Sequence, residues 1–249
     1  MSQEILVLGA GAVGGFFGGR LAQAGANVTF LVRPGQKAQL IERGLQIESA
    51  YGKATVRVQA KLQSEIDRAY DLVMLTCKAY DLPSAIESIR PAVSDSTAVL
   101  PLLNGIEHIG QLNQRFGRRK VVPGTARIAA TLTSEGVVRH LSDWQTIVFG
   151  TQDGSASPQL EELKALFTAA GVDGQLSPDI MRQLWLKLVH LAAIAGMTCL
   201  MRANVGEIAR TPEGASLLIQ FLETNAKIAA HAGYDLEEER SADRGGGGR

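Results

Sequence analysis

Short β-rich runs alternate with helical periods over the first hundred residues. Residues 5–8 (ILVL) form a continuous apolar run closed by Gly9, the pattern of a strand buried on both faces. Residues 14–24 carry a helical pattern, and Gly25 is placed to end it. Residues 28–32 predict a second strand, stopped by Arg33-Pro34-Gly35, and residues 56–60 a third. A further buried strand over 72–76 precedes a helix with Asp81 as its cap and Pro83 in its first turn. The run 98–102 closes the series on Asn104-Gly105. Strands alternating with helices in this way predict βαβ units and a parallel sheet.

From 121 to 150 the pattern shifts to short alternating runs (VVRHL, QTIVFG) parted by Glu135-Gly136 and Ser142-Asp143, which predict antiparallel hairpins extending the sheet. Beyond Gly150 the chain turns helical. Ser157-Pro158, Ser177-Pro178 and Thr211-Pro212 each pair a capping hydroxyl with a proline suited to the first helical position. The second of these helices carries Ile180, Leu184, Leu188 and Leu191 at three- and four-residue spacings and so buries a broad face. The third carries Leu217, Leu218, Phe221 and Leu222 and ends at Gly233. The remainder, DLEEERSADRGGGGR, is charged and glycine-rich with no apolar period, so residues 235–249 are expected to be disordered.

Composition narrows the function classes. Apolar residues make up 45% of the chain, enough for a substantial core. The 25 basic and 25 acidic residues cancel, and aromatics are only 5%, so neither a nucleic acid nor an anionic membrane is expected as a partner. Two cysteines, Cys77 and Cys199, suit a reducing compartment and a cytoplasmic protein. The apolar N-terminus lacks a basic leader region. The longest apolar stretch, 188–201, has 14 residues and includes His190. It falls short of the ~20 that a membrane span needs, and it is read as a buried helix.

The chemistry begins at Gly9-Ala10-Gly11-Ala12-Val13-Gly14, a G-x-G-x-x-G sequence between a strand and a helix. The first glycine permits a tight turn, the second lets backbone approach a pyrophosphate, and the third lets helix and strand pack closely. A dinucleotide site of this kind that selects NAD carries an acidic residue at the end of the second strand. Here no acidic residue occurs between Gly14 and Glu42, and the strand ends in Arg33 with Lys37 close behind. A guanidinium there suits the 2′-phosphate of NADP(H), the cofactor expected; a solvent-facing loop arginine is the alternative. Thr76-Cys77-Lys78 and Asn104-Gly105 follow later strands on the same rim. Lys187 sits in the apolar run LWLKLVHLAAIAGM. A lysine there is either functional or has its ammonium reaching out to solvent. His190 reads as a hydrogen-bonded histidine. His108, His140 and His231 lack metal-ligand spacing, so no metal is expected, and Cys77 reads as a packing residue.

In order along residues 4–235, GAGAVGG, Arg33, TCKAYD around Lys78, LNG at Asn104, PGTARIAA, WLKL around Lys187 and NVGEI at 204–208 resemble the ketopantoate reductase (2-dehydropantoate 2-reductase) family. The resemblance implies an α/β fold: an N-terminal Rossmann-type dinucleotide-binding domain over 1–177, then a smaller all-helical substrate and dimerisation domain over 178–234. It implies NADPH-dependent reduction of a 2-oxo acid to the 2-hydroxy acid in pantothenate biosynthesis, and it allows a homodimer. Carried over, Gly9, Ala10, Gly11, Ala12, Val13, Gly14, Arg33, Lys78, Asn104 and Ala130 line the cofactor. Lys187 is the catalytic proton donor, and Lys187, Asn104 and Asn204 are the candidates for holding substrate.

Two departures stand out. The family's substrate-binding asparagines fall one and two turns after the lysine, where this chain has Leu191 and Ala195, so the substrate pocket is expected to be more apolar. Family members also continue with further helices, which carry a serine and a glutamate that contact substrate and cofactor. This chain instead ends in RSADRGGGGR, so the helical domain is expected to be truncated. A non-catalytic or weakly active dinucleotide-binding remnant is the alternative function.

Overall fold

The apolar runs of the first hundred residues become one parallel sheet. In the computed structural model, which describes residues 3–236, the chain forms two compact units, Met1–Ile180 and Met181–Arg249. The first unit opens with β1 (Glu4–Leu8), α1 (Ala12–Gln23), β2 (Asn27–Leu31) and α2 (Pro34–Arg43). It continues through β3 (Leu45–Ser49), β4 (Gly52–Val56), β5 (Gln59–Lys61), β6 (Leu72–Leu75), α3 (Leu82–Ile89), β7 (Ala98–Pro101) and α4 (Glu107–Phe116). The sheet order is β5-β2-β1-β6-β7, with every neighbouring pair parallel. Ile5, Leu6, Val7, Val73, Met74 and Leu75 are wholly buried, because helices and a second layer cover both faces. Asp81 stands at the N-cap of α3, although its side chain makes no cap hydrogen bond.

The strand expected over 56–60 is instead the junction between two strands, β4 ending at Val56 and β5 starting at Gln59. The antiparallel hairpin of β3 and β4 escapes a search for apolar runs, because only Leu45 and Ile47 of β3 are buried and β4 has no buried residue.

The next segment supplies β8 (Gly124–Arg127), β9 (Ala130–Leu132), β10 (Val138–His140), β11 (Thr146–Phe149), α5 (Pro158–Ala169) and β12 (Asp173–Leu176). The antiparallel pairs are there, β9 with β10 and β8 with β11, but they do not extend the parallel sheet. They belong to two further sheets, β4-β3-β10-β9 and β12-β11-β8. Helix α1 lies between the parallel sheet and the first of these. A Cβ added at Gly18 would meet Phe30 and Val7 on one side, and one at Gly19 would meet Ile47 and Leu45 on the other. Buried on both faces, α1 carries small residues where the layers approach most closely.

The second unit contains α6 (Ile180–Met201) from its second residue on, α7 (Val205–Ala209) and α8 (Gly214–His231). The 14-residue apolar stretch is thus part of a 22-residue helix. Its length and composition suffice to cross a membrane, and only 22% of its apolar window is buried, so the buried helix expected from sequence is in large part exposed. Ile194, Leu200 and Met201 of α6, and Leu217, Ile219, Phe221 and Ile228 of α8, are exposed. α8 starts at Gly214 and not at Pro212, because the Thr211 hydroxyl donates back to the Ile208 carbonyl at 2.8 Å and closes the preceding turn. Tyr234 stacks on Trp185 with ring centroids 5.7 Å apart. Leu236, assigned to the tail by its sequence context, is buried with Val189, Ala226 and Ala229. Residues 237–249 of the expected tail lie outside the described residues.

His108, on the buried face of α4, is 3% exposed, and its Nε2 has no hydrogen-bond partner. Burial pushes its pKa down to about 4. Between that value and the unfolded one near ~6.5, the unfolded chain binds more protons than the folded one, so stability falls as pH falls through this window. This group alone is expected to cost about 2 kcal/mol between pH 7 and pH 5. Denaturant unfolding of the parent and of His108→Leu at the two pH values checks this: the variant's loss should be smaller by that amount, and equal losses refute it.

Candidate functional site

The carboxyl ends of β1, β2, β6 and β7 open onto a cleft of about 1440 Å³. It sits where the sheet order reverses, since the chain leaves β1 toward β2 on one side and returns to β6 on the other. An open parallel sheet offers a ligand crevice at this position.

The glycine loop forms one wall. Gly9 has φ +93°, a left-handed conformation that disfavours any side chain, and its N–H donates to the Leu31 carbonyl at 2.9 Å. A Cβ at Gly14 would stand 2.2 Å from the Gly9 carbonyl oxygen and 2.3 Å from Thr76 Oγ1, so the loop folds this tightly only over a bare α-carbon. Gly11 caps α1 and lines the cleft, and a Cβ there would meet no protein atom within 4 Å. Backbone is therefore presented to the cleft with room for a ligand against it. Two side chains hold the loop: Thr76 Oγ1 donates to the Leu8 carbonyl at 2.8 Å, and Gln36 Nε2 donates to the Ala10 carbonyl at 2.9 Å.

Of the cofactor residues expected from sequence, Gly9, Gly11, Ala12, Val13, Arg33, Lys78, Asn104 and Ala130 line this cleft together. Ala10 and Gly14 do not; Ala10 is 2% exposed and packs in the core, and Gly14 is buried beneath the turn. Gln36, Gln63, Ser64, Tyr80 and Asp81 also line it and were not singled out as site residues, because such polar positions carry no spacing signal. Burial pushes the Cys77 thiol up to about 11, so it is protonated near neutral pH and suits packing better than nucleophilic chemistry.

At the cleft's outer end, Arg33 is the N-cap residue of α2, with an 86% exposed side chain whose Nη2 lies 3.5 Å from Asp81 Oδ2. Lys37, one helical turn on, bonds both carboxylate oxygens of Glu65 at 2.5 and 2.6 Å. The end of β2 has no acidic residue of its own. The fold brings two carboxylates to the neighbourhood from the connections after β5 and β6.

In the second unit, α6 is unbroken through Lys187, Leu191 and Ala195, so these three form one stripe at four-residue spacing. Lys187 is half-buried. His190 Nδ1 lies 2.8 Å from the Leu186 carbonyl and donates to it, a local helix bond. Asn204 caps α7: its carboxamide oxygen accepts the Glu207 N–H at 2.9 Å, and Glu207 accepts the Asn204 N–H in return. Asn204 thus forms a reciprocal capping box at the start of α7. Among the described residues, no cluster of three or more His, Cys, Asp or Glu could hold a metal ion.

The ketopantoate reductase PanE/ApbA family pattern matches residues 5–154, and the family's C-terminal pattern matches residues 179–245. The uncharacterized oxidoreductase YkpB of Bacillus subtilis is 34% identical over 240 residues, covering 95% of this chain and 79% of its own. The 2-dehydropantoate 2-reductase of Pyrococcus horikoshii is 30% identical over 94% of this chain and 76% of its own. Among solved structures, the 2-dehydropantoate 2-reductase of Geobacter metallireducens matches with a TM-score of 0.84 and 29% identity, over 90% of this chain and 74% of that one. A D-mandelate dehydrogenase solved with NADH and anilino(oxo)acetate shares the fold at a TM-score of 0.85 and 24% identity, over 94% of this chain and 75% of that one. With both family patterns matched and the cleft at the switch point of a Rossmann-type sheet, the chain belongs to the ketopantoate reductase family of oxidoreductases.

Proposed function

We propose that this oxidoreductase uses NADPH to reduce a 2-oxo acid, 2-dehydropantoate or a relative with a more apolar side chain, and that Lys187 is the proton donor. The observation that carries the reading is the cleft wall at Gly9 and Gly11, bare backbone held in a tight turn with open space against it. That cradle fits a dinucleotide. Backbone N–H groups at the start of α1 would hold the pyrophosphate, and Arg33 would meet a 2′-phosphate. Lys78, Asn104 and Ala130 would line the rest of the nucleotide. The D-mandelate dehydrogenase of the same fold was solved with NADH, so the fold leaves the choice at the 2′ position to side chains such as these.

A nicotinamide dinucleotide held in this cradle would supply a hydride to the carbonyl carbon. The chain's own contribution is electrostatic and acid–base: negative charge grows on the carbonyl oxygen, and the Lys187 ammonium stabilises that charge and gives up a proton to it. Asn104 is a further donor for substrate. Leu191 and Ala195, on the same stripe as Lys187, offer no hydrogen bond to a substrate hydroxyl.

The test is NADPH oxidation by the purified chain against a panel of 2-oxo acids. Each missing donor to a polar substrate group costs ~1 kcal/mol or more, so an apolar-side-chain 2-oxo acid is expected to exceed ketopantoate in kcat/KM by about tenfold. A kcat/KM for ketopantoate equal to or above that of the apolar acids refutes the substrate preference, and oxidation with none of them refutes the reductase reading.

A further inference from the structure

The two cations at the outer end of the cleft are held in different ways. Arg33 and Lys37 lie one turn apart at the start of α2, with the Lys37 N–H bonded to the Arg33 carbonyl at 3.0 Å. The pairing of Arg33 with Asp81 is long and open, and such a pair constrains the guanidinium little. The Lys37 side chain is only 23% exposed, and its ammonium is clasped by both oxygens of Glu65. Glu65 is itself anchored, because its carboxylate accepts the backbone N–H of Leu62 at 2.6 Å. That N–H and the Lys37 ammonium hold the Glu65 carboxyl below the usual carboxylate range, so it stays ionised at neutral pH.

The pair adjoins the cleft on both of its chain segments. Gln36, next to Lys37, lines the cleft, as do Gln63 and Ser64, just before Glu65. Lys37 and Glu65 themselves line a shallow side basin of about 550 Å³, which shares Ser64 with the cleft. A 2′-phosphate held by Arg33 would thus lie on the side of the cleft that adjoins this neutralised cation and its anchored carboxylate.

We infer that Glu65 is a specificity-determining residue for the cofactor: by clasping Lys37 and holding a fixed negative charge at the 2′ end of the cleft, it moves the preference for phosphorylated over unphosphorylated dinucleotide toward parity. The inference rests on the dinucleotide reading proposed above. Its sign follows from charge. A 2′-phosphate carries close to two negative charges and is repelled by Glu65, whereas NADH has only a hydroxyl there and is indifferent to it. Arg33 supplies the attraction, and Glu65 with Asp81 limits it.

The test is fluorescence titration of the parent chain, Glu65→Gln and Lys37→Met with NADPH and with NADH. Glutamine keeps an acceptor for the Leu62 N–H, so the turn before it is retained. Glu65→Gln should tighten NADPH binding about three- to tenfold and change NADH binding less than about twofold, with the gain shrinking as salt is raised. Lys37→Met removes the cation that clasps the carboxylate, leaving Lys61 of the same basin as its remaining positive neighbour, and should weaken NADPH several-fold while sparing NADH. An unchanged NADPH/NADH ratio in both variants, from a parent that binds NADPH, overturns the role of Glu65 and leaves the cofactor reading standing. A parent that binds neither dinucleotide overturns both.

Discussion

Lys187→Ala is expected to lower kcat by a factor of about 10²–10⁴ while the NADPH dissociation constant stays within about twofold of the parent's. The size of the loss is that of a general acid whose proton must reach the carbonyl oxygen as the hydride arrives. Nucleotide affinity should survive because every residue lining the cleft proposed to hold the dinucleotide belongs to the first unit, whereas Lys187 is part of the second. The helix should survive as well. Alanine is the best helix former, and the nearest fully buried positions of α6 are Leu184 and Val189, which the substitution leaves in place. Single-turnover kinetics with an NADPH titration on the same preparation separate the two effects. Retention of more than about a tenth of the parent kcat would remove Lys187 from the chemistry.

Arg33→Asp is expected to weaken NADPH at least tenfold and to leave NADH nearly unaffected. A charge-assisted contact to phosphate is worth ~1.5–3 kcal/mol, and the new carboxylate adds repulsion beside Asp81 and Glu65. Stability should hardly change. The side chain is 86% exposed, and an open ion pair with Asp81 contributes little to folding. Thermal unfolding alongside the two titrations checks both halves. A parent chain with equal affinity for NADPH and NADH, whose NADPH affinity is also indifferent to the substitution, would mark Arg33 as a solvent-facing loop residue.

The sequence by itself determined what depends on neighbours along the chain. The predominantly apolar runs at 5–8, 28–32, 72–76 and 98–102 became adjacent strands because a strand buried on both faces has little room for charged residues. The turn from Gly9 to Gly14 was legible for the same reason: its positive φ and its close helix–strand approach are imposed within six consecutive residues. The ordered motifs from GAGAVGG to NVGEI likewise carried the family.

Tertiary structure decided whatever pairs distant segments. The β3–β4 hairpin was invisible because its half-exposed strands lack an apolar run, and it was given a partner only when β10 docked beside β3. The capping of α7 by the Asn204 carboxamide oxygen, with Glu207 answering it, likewise showed only in the fold. Burial of α6 could not be read from its hydropathy, since the same apolar side chains suit a core, an interface or a membrane and differ only in what packs on them. The charge at the outer end of the cleft is the sharpest case. Along the chain, Arg33 and Lys37 stand clear of any acid, but Asp81 and Glu65 reach them from strands on either side of the β1–β2 pair. Electrostatic attraction acts through space at distances of a few ångströms, so the sequence could name the two cations while only the fold could supply their counter-charges.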